Sequence, residues 1–273
     1  MVDAEKKIKP KNKIIPGNIE RRVRENTKIS KLLIFKGNDL TVDSIDLFLT
    51  YFYNDDVRGL GGKKVVIVGS GNIGSKLALI LVERGSKVFI YRRDNLKSKI
   101  IAKAFNFLKP KYTFEKIQAV NNLIDICKNT DILIGTTDGK PAINHKMVNN
   151  LKNTAIIIDA GKGTLEKKAY DIAYKRNIKI FRTDVTASLS GLIEKSIVME
   201  KIVEKKFNIK RKKGYRLVSQ GLLGRNNDIV VDDVDKPTII YGISNGKGDF
   251  IRNIKLNKRN LINKIKRKYS IIV

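Results

Sequence analysis

The stretch at residues 63–74 decides the fold, and it reads Lys-Lys-Val-Val-Ile-Val-Gly-Ser-Gly-Asn-Ile-Gly. The four successive apolar residues at 65–68 are typical of a strand that is buried on both faces of a parallel sheet. The glycines that follow have Gly-x-Gly-x-x-Gly spacing, and they lead into a segment at residues 73–84 that predicts a helix ended by Gly85. A strand, a glycine-rich turn and a helix in this order predict a phosphate-binding turn.

Each glycine of this turn has a physical role to fill. Gly69 permits the tight turn, Gly71 leaves room for a pyrophosphate against bare backbone, and Gly74 lets the helix approach the strand. The helix N-terminus supplies free N–H groups and a partial positive charge to the phosphates. The residues predicted to bind the cofactor here are Gly69, Ser70, Gly71, Asn72, Ile73 and Gly74. The alternative interpretation is a glycine-rich turn with a purely structural role.

A regular alternation of strands and helices continues on both sides of this motif. Strands are predicted at residues 65–68, 87–91, 112–114, 132–134, 155–158 and 178–181. Helices are predicted at residues 73–84, 96–108, 121–128 and 188–205. Alternation of this length favours parallel βαβ units, so the sequence predicts an α/β fold with a doubly wound parallel (Rossmann) sheet.

The flanking segments predict a short N-terminal helical arm and a small C-terminal β extension. We expect residues 1–26 to be loosely ordered, residues 31–35 to form a strand or docking segment, and residues 41–53 to form a helix with Thr41 as its N-cap. Three short strands are expected at 215–218, 229–234 and 238–243, either at the edge of the main sheet or in an appended β unit. The predicted domains are a basic arm with a docking helix (1–62), an NAD(P)-binding domain (63–205) and a basic β-rich extension (206–273).

The residues at the tip of the second strand, Arg92, Arg93 and Asp94, bear on which dinucleotide is bound. A carboxylate at this position binds the ribose hydroxyls of NAD, whereas a guanidinium pairs with the 2′-phosphate of NADP. We therefore expect Arg92 and Arg93 to bind NADP in preference to NAD. The alternative is that both arginines are solvated and that Asp94 binds the ribose.

The motif at residues 62–74 resembles the cofactor domains of shikimate dehydrogenase, glutamyl-tRNA reductase, methylenetetrahydrofolate dehydrogenase and S-adenosylhomocysteine hydrolase. The helix at 41–53 and the strand and loop at 155–161 resemble the corresponding segments of those enzymes. The segment Asp-Ile-Leu-Ile-Gly-Thr-Thr at 131–137 is similar to their segment beside the nicotinamide, which implies that Thr136 and Thr137 contact the cofactor. The resemblance covers residues 41–205 and implies an NAD(P)-binding fold without selecting one family.

Several departures separate the chain from each of these families. The shikimate dehydrogenase segment Asn-Val-Thr-x-Pro-x-Lys is missing, and no cysteine precedes the glycine motif as in glutamyl-tRNA reductase. The Tyr-x-x-x-Lys pattern of methylenetetrahydrofolate dehydrogenase and the large catalytic domain of the homocysteine hydrolase are also missing. The catalytic residues of these families therefore cannot be carried over.

Candidate catalytic residues follow from the rule that ligands lie beyond the carboxyl ends of the strands in open α/β sheets. Three loops qualify, at residues 136–141, 159–163 and 183–188. Lys140 or Lys162 is expected to polarise a carbonyl or carry a proton, with Asp138, or else Asp159 or Asp184, as the base or the orienting group. His145, the single histidine, is a further candidate. The alternatives are exposed lysines, helix-capping aspartates and a solvent-facing His145.

Composition limits the remaining classes of function. The single histidine and the single cysteine argue against a metal site, and the absence of a long apolar run or a signal-peptide pattern predicts a cytoplasmic protein with no membrane span. The net charge of +29 is concentrated at residues 6–24, 205–216 and 255–268. Such a charge attracts phosphates, acidic metabolites, nucleic acid or an anionic membrane. Because the basic runs lack interleaved aromatic residues, a lysine-rich composition is favoured over nucleic-acid binding.

Together these features predict an NADP-dependent oxidoreductase that acts on a small-molecule carbonyl, hydroxyl or imine substrate, and an anionic substrate would suit the basic field. Two alternatives remain open. One is a non-catalytic dinucleotide-binding sensor or interaction protein. The other is an enzyme that uses bound NAD transiently, as S-adenosylhomocysteine hydrolase does.

Overall fold

The structure is a computed structural model that describes residues 1–5, 7–8, 17–206, 208–222 and 224–271. The chain divides into two compact units, Met1–Gly191 and Leu192–Val273. We describe each unit by itself. The three-part division predicted from the sequence stays a prediction.

The first unit begins with short paired segments around one helix. Its first elements are β1 (Val2–Asp3), β2 (Lys7–Ile8), β3 (Gly17–Asn18), α1 (Ile19–Asn26), β4 (Ile34–Phe35) and α2 (Gly37–Phe52). Strand β1 pairs in parallel with β4, and β2 pairs with β3 in antiparallel orientation. The expectation of a loosely ordered arm was therefore wrong for these paired residues and for α1. The rest of the predicted arm, residues 6 and 9–16, lies outside the described residues.

Helix α2 begins four residues before the predicted N-cap at Thr41. The Thr41 hydroxyl instead donates to the carbonyl of Gly37 within the first turn, at 3.0 Å. The N-terminal amides are capped from a distant part of the chain. The Asp3 carboxylate accepts from Gly37 N at 3.2 Å, and the Glu5 carboxylate accepts from Asn38 N at 2.7 Å. Because these caps come from more than thirty residues away, local sequence patterns do not reveal them.

Residues 17–206 are described without a gap and contain a six-stranded, fully parallel sheet. Its strands are β5 (Lys64–Val68), β6 (Lys87–Tyr91), β7 (Ile117–Ala119), β8 (Ile132–Gly135), β9 (Ile156–Asp159) and β10 (Lys179–Arg182). The spatial order is β10-β9-β8-β5-β6-β7, so the chain runs outward from β5 in one direction and then from β8 in the other. This topology confirms the predicted doubly wound Rossmann sheet.

Helices cover both faces of this sheet. They are α2, α3 (Asn72–Glu83), α4 (Asn95–Leu108), α5 (Leu123–Ile126), α6 (His145–Asn149) and α7 (Lys167–Lys175). Helix α8 (Thr186–Lys206) follows β10. Successive residues of β5 alternate between the two cores: Val65 and Ile67 pack with α2 and α3, whereas Val66 and Val68 pack with residues of α6 and α7. All four side chains are fully buried. A strand with helices on both faces needs an unbroken apolar run, as the sequence has here.

The predicted strand at residues 112–114 was wrong. Tyr112 and Phe114 are each 92% exposed, and the third strand on this side is β7, in which Ile117 is 2% exposed. Helix α4 fixes the start of β7: the Asn106 side chain donates to the Ile117 carbonyl at 2.7 Å and accepts from the Ile117 N–H at 2.8 Å. Aromatic residues alone therefore gave a false strand signal in this loop.

The second unit forms its own small sheet among the described residues. Its strands are β11 (Ile209–Lys212), β12 (Tyr215–Ser219), β13 (Ile229–Val231) and β14 (Ile240–Ile243), and α9 (Leu256–Tyr269) follows them. The strands run in that spatial order, with the central pair β12–β13 parallel and both outer pairs antiparallel. This confirms the predicted C-terminal β extension as an appended unit. Neither β11 nor α9 was predicted.

Helix α9 closes the core of the second unit. Ile265 is 1% exposed and packs with residues of β12, β13 and β14, while Leu261, Ile262 and Tyr269 lie against the same core. The apolar stripe of α9 is narrow and lies within a run of lysine, arginine and asparagine, which hid the helix from the sequence pattern. No helix among the described residues is long and apolar enough to cross a membrane.

Candidate functional site

A cleft of about 550 Å³ lies at the carboxyl ends of β5, β6 and β8. Three segments line it: residues 68–71 after β5, residues 91–94 with Lys97 after β6, and residues 136–138 with 140–142 after β8. The cleft therefore lies where the strand order reverses, between β5 and β8. Ligands of open α/β sheets bind at such switch points.

Close packing explains two of the three glycines in the turn after β5. Gly69 has φ +110°, a conformation that L side chains rarely adopt, and a Cβ there would lie 2.8 Å from Thr136 Oγ1. A Cβ on Gly74 would lie 1.9 Å from the carbonyl oxygen of Gly69. Gly74 therefore lets the first turn of α3 rest directly on the backbone of the turn.

Gly71 differs from its neighbours because the space beside it is open. A Cβ built on Gly71 meets nothing within 4 Å, although its φ of −81° suits any residue. Gly71 is the N-cap of α3 and provides no side-chain cap for the helix amides. An open space in front of an uncapped helix N-terminus fits a phosphate group, which the amides and the helix dipole stabilise.

Thr136 and Thr137 hold the loop after β8 in position. The Thr136 hydroxyl donates to the carbonyl of Gly69, and its N–H donates to Val68 at 2.9 Å, so the loop is fixed to the glycine turn. The Thr137 hydroxyl donates to the Lys140 carbonyl at 2.8 Å and closes the loop on itself. Both residues line the cleft, as the predicted cofactor contact requires.

The loop after β9 packs directly against the loop after β8. A Cβ on Gly161 would lie 1.8 Å from the Thr137 carbonyl oxygen, so Gly161 allows a contact that a larger residue would block. The Asp159 carboxylate is buried and accepts hydrogen bonds from Gly163 N at 2.8 Å and from the N–H and hydroxyl of Thr164 at 3.1 and 2.7 Å. Asp159 therefore orders its own loop.

The positively charged end of the cleft lies after β6. The half-buried Arg92 donates from Nη1 to the carbonyl of Ser70 at 3.1 Å, which fixes this guanidinium against the glycine turn. Arg93 and Lys97 are exposed and line the same cleft. Asp94 is the N-cap of α4 and accepts from Lys97 N at 3.1 Å. That hydrogen bond, together with the charges of Lys97 and Arg92, lowers the pKa of Asp94 below its ordinary value.

The structure separates the four predicted catalytic residues into two groups. Asp138 and Lys140 are exposed residues that line the cleft. Lys162 is exposed on the neighbouring loop with φ +56°, and neither Lys162 nor His145 belongs to the lining. The alternative of a solvent-facing His145 was wrong: the residue is half-buried, and its Nδ1 atom is buried with no hydrogen-bond partner in the described part of the chain.

The third predicted loop borders a different cavity. Thr183 and Asp184 line a recess of about 240 Å³ together with Phe48 and Phe181. Asp184 accepts from Thr186 N at 2.9 Å and from the Thr186 hydroxyl at 2.6 Å at the start of α8, and these bonds lower its pKa. Asp184 therefore caps the start of α8, which was the alternative to a catalytic role. Its loop does not line the cleft.

Three features of the cleft were not predicted from the sequence. Tyr91 lines it from the end of β6, Ala142 lines it from the loop after β8, and Lys97 adds a third positive charge beside the arginines. Lys97 lies in the first turn of α4, four residues beyond Arg93. The predicted start of α4 would have shown that Lys97 lies near the strand tip.

Curated relatives show only partial similarity to the chain. A glutamyl-tRNA reductase of Methanococcus aeolicus is 24% identical over 252 residues, which is 87% of this chain and 59% of the relative. A shikimate dehydrogenase (NADP(+)) of Archaeoglobus fulgidus is 38% identical over 68 residues, 22% of this chain and 25% of the relative. A glutamyl-tRNA reductase of Campylobacter jejuni is matched over 36% of its length. The chain thus spans between a third and three fifths of the two reductases.

Solved structures align with the chain at low sequence identity. A crystal structure of dipicolinate synthase from Bacillus halodurans has 15% sequence identity and a TM-score of 0.43. The alignment covers 68% of this chain and 63% of that chain.

The family comparison covers the unit that contains the cleft. The model of the D-isomer specific 2-hydroxyacid dehydrogenase NAD-binding domain matches residues 53–191, just over half of the chain. The matched range includes the glycine turn, the arginines after β6 and the loops after β8 and β9. The chain therefore belongs to the D-isomer specific 2-hydroxyacid dehydrogenase NAD-binding domain family, a family of dehydrogenases with an NAD(P)-binding Rossmann domain.

Proposed function

We propose that this protein is an NADP-dependent oxidoreductase that acts on a small carbonyl, hydroxyl or imine compound, with anionic substrates favoured by the positive charge of the chain. Family membership supports dinucleotide-dependent oxidoreductase chemistry. The observation that carries the choice of NADP is the fixed position of Arg92, whose guanidinium contacts the glycine turn at Ser70.

Charge at the end of the cleft supports NADP over NAD. Arg92, Arg93 and Lys97 bring three positive charges to the region that follows β6. Asp94, the carboxylate available for a ribose, already caps α4 and lies 3.5 Å from Lys97 Nζ. A 2′-phosphate would gain charge-assisted hydrogen bonds here, whereas a ribose diol would have to compete for a carboxylate that is already bonded. The relative named shikimate dehydrogenase (NADP(+)) is consistent with this choice.

Residues of this chain have distinct proposed roles toward the dinucleotide and the substrate. The uncapped amides after Gly71 would hold the diphosphate, and Thr136 and Thr137 would lie beside the nicotinamide. When bound, the dinucleotide supplies the hydride chemistry. We assign Lys140 to polarising the substrate carbonyl or carrying its proton and Asp138 to orienting that lysine, because both line the cleft.

A binding titration followed by a substrate panel tests this function. The full chain is titrated with NADPH and NADH by fluorescence, and NADPH oxidation is then measured across keto acids, cyclic ketones and imines. Oxidation with at least one class supports the oxidoreductase. Tight NADPH binding with no oxidation would favour the non-catalytic sensor, and NAD that remains bound through purification would favour transient use of the cofactor.

Replacing Arg92 with glutamate tests the cofactor choice. A lost hydrogen bond to a charged group weakens binding by about 1.5–3 kcal/mol, so we expect NADPH affinity to fall roughly 10- to 100-fold. NADH lacks the 2′-phosphate, and its affinity should change much less. The NADH measurement on Arg92→Glu also controls for damage to the glycine turn. Equal weakening of both dinucleotides would contradict the assignment.

A further inference from the structure

The outward face of α9 carries cations and amides. The residues opposite its buried stripe, here called the α9 surface, are Arg259, Asn260, Asn263, Lys264 and Arg267, and all five are exposed. They fall within less than half a turn of the helix wheel and span about 12 Å along the helix axis. From Phe250 to Val273 the sequence has eight lysines and arginines and no acidic residue. The α9 surface therefore has no counter-charge on its own segment.

In the described residues, ion pairs neutralise some of the positive charge of the first unit but none of the charge of α9. The pairs of the first unit include Lys63–Asp56, Arg84–Asp46 and Lys152–Asp131. Within the described ranges, none of the six lysines and arginines of α9 forms an ion pair with a carboxylate. The positive charge of the α9 surface is therefore not cancelled by a carboxylate of the described chain.

Strand β11 carries a further cation on the sheet face that α9 covers. Lys212 is exposed and pairs across the ladder with Tyr215, whose side chain lies against the core that α9 covers. Paired residues of adjacent strands project from the same sheet face, so Lys212 belongs to the α9 side of the sheet. Lys210 lies on the same face and pairs with Asp235 at 2.5 Å, so the cations without a carboxylate partner on this side are chiefly those of α9.

The buried stripe of α9 limits the kind of partner. A basic helix that lies on a membrane must insert its apolar face among the lipids. Here that face is already used, since Ile265 is buried and Leu261 and Ile262 pack on the same core. Single-stranded nucleic acid is bound by stacking of bases on exposed aromatic rings, and the α9 surface contains none.

We propose that the α9 surface binds double-stranded DNA. An α-helix with its side chains is about 10–12 Å wide and fits the major groove of B-DNA, which is about 12 Å wide, whereas the major groove of A-form RNA is too narrow to admit side chains. Lysine and arginine pair with the phosphates, and asparagine and arginine are the residue types that bond to adenine and guanine edges. No residue of the α9 surface lines the dinucleotide cleft, and the proposal does not depend on the proposed function.

The test measures binding of the full chain to a fluorescein-labelled 20-base-pair DNA duplex by anisotropy at several KCl concentrations. We expect the affinity to fall steeply as salt rises. In the variant Arg259→Gln/Lys264→Gln/Arg267→Gln, the slope of log K against log salt should decrease by about 2–3, since each lost phosphate contact removes about 0.9. All three side chains are exposed, and circular dichroism and thermal unfolding of the variant report whether its fold is intact.

A matched variant controls for loss of net charge. Lys99→Gln/Lys103→Gln/Lys168→Gln removes three exposed charges from α4 and α7, and it should keep the wild-type slope. An equal decrease of the slope in both triple variants would overturn the proposal, because DNA would then be attracted by the net charge of the protein and not by the α9 surface. Wild-type protein that binds a 20-base-pair RNA duplex, a single strand or polyglutamate as tightly as the DNA duplex would also overturn it.

Discussion

Lys140 and Lys162 are the same residue type in neighbouring loops, and only their positions in the fold distinguish them. Both are exposed lysines in loops at the carboxyl edge of the sheet, and the sequence alone gives no reason to prefer either. Lys140 lines the cleft with Asp138, whereas Lys162 lies on the next loop, outside the lining. The two loops nevertheless pack directly on each other, at the contact between Gly161 and the Thr137 carbonyl.

Replacing Lys140 with methionine tests its proposed role. General acid–base groups contribute about 10²–10⁴-fold to rate, so kcat for an accepted substrate should fall roughly 100-fold or more while the Kd of NADPH stays near the wild-type value. Lys162→Met removes the same charge from the neighbouring loop and serves as the matched control. Similar kcat values for the two variants would refute the assignment of Lys140.

Cys127 provides a pH-dependent prediction at the same scale. Burial raises the pKa of this thiol to about 12, because the apolar core disfavours the thiolate. The thiol of the unfolded chain ionises at a lower pH than the thiol of the folded chain. The free energy of unfolding therefore keeps the full contribution of Cys127 below the ordinary thiol pKa and loses it as the pH rises from there toward 12. We expect Cys127 in the folded chain to resist iodoacetamide at pH 8 and to react rapidly in guanidinium chloride. Fast alkylation of folded protein at pH 8 would contradict its burial.

At the scale of elements, the strand–turn–helix motif was predictable because its constraints are local. The apolar residues at 65–68 are adjacent in sequence, and Gly74 packs on the carbonyl of Gly69, five residues earlier. Elements fixed by distant contacts were not predictable in the same way. The start of α2 depends on Asp3 and Glu5, and β7 depends on Asn106 of α4. The opposite error occurred at Tyr112 and Phe114. Their residue types favour strands, and a strand was predicted there, but both side chains are exposed in a loop.

Two alanine variants separate packing from binding in the glycine turn. Gly74→Ala places a methyl group against the backbone oxygen of Gly69, and such overpacking should cost about 1–3 kcal/mol of unfolding free energy. Gly71→Ala meets open space at an allowed φ, so it should leave the stability nearly unchanged. The added methyl group would nevertheless obstruct the phosphate, and NADPH affinity should fall about tenfold or more.

Thermal unfolding and NADPH titration of both variants provide the comparison. The expected pattern is a lowered Tm only for Gly74→Ala and weakened NADPH binding for both variants. A Gly71→Ala variant with unchanged NADPH affinity would mean that the open space beside Gly71 is not where a phosphate binds.

Over the whole molecule, the sequence predicted the doubly wound sheet and the C-terminal β extension and missed the helix that closes the second unit. The sheet has a long and repeated hydrophobic pattern, whereas α9 has a narrow apolar stripe hidden among basic residues. The pairing of charged side chains was likewise not predictable from the sequence. The net charge of +29 follows from composition, but which cations pair with carboxylates, as Lys63 and Arg84 do, depends on the fold.

The proposed function depends on NADP binding in the cleft between β5 and β8, through the glycine turn and the charges after β6. Calorimetric titration of the full chain with NADPH and with NADH measures this binding. We expect one site, with NADPH bound about tenfold or more tightly than NADH because charged hydrogen bonds to the 2′-phosphate are worth about 1.5–3 kcal/mol. Folded protein with no affinity for either dinucleotide would contradict it.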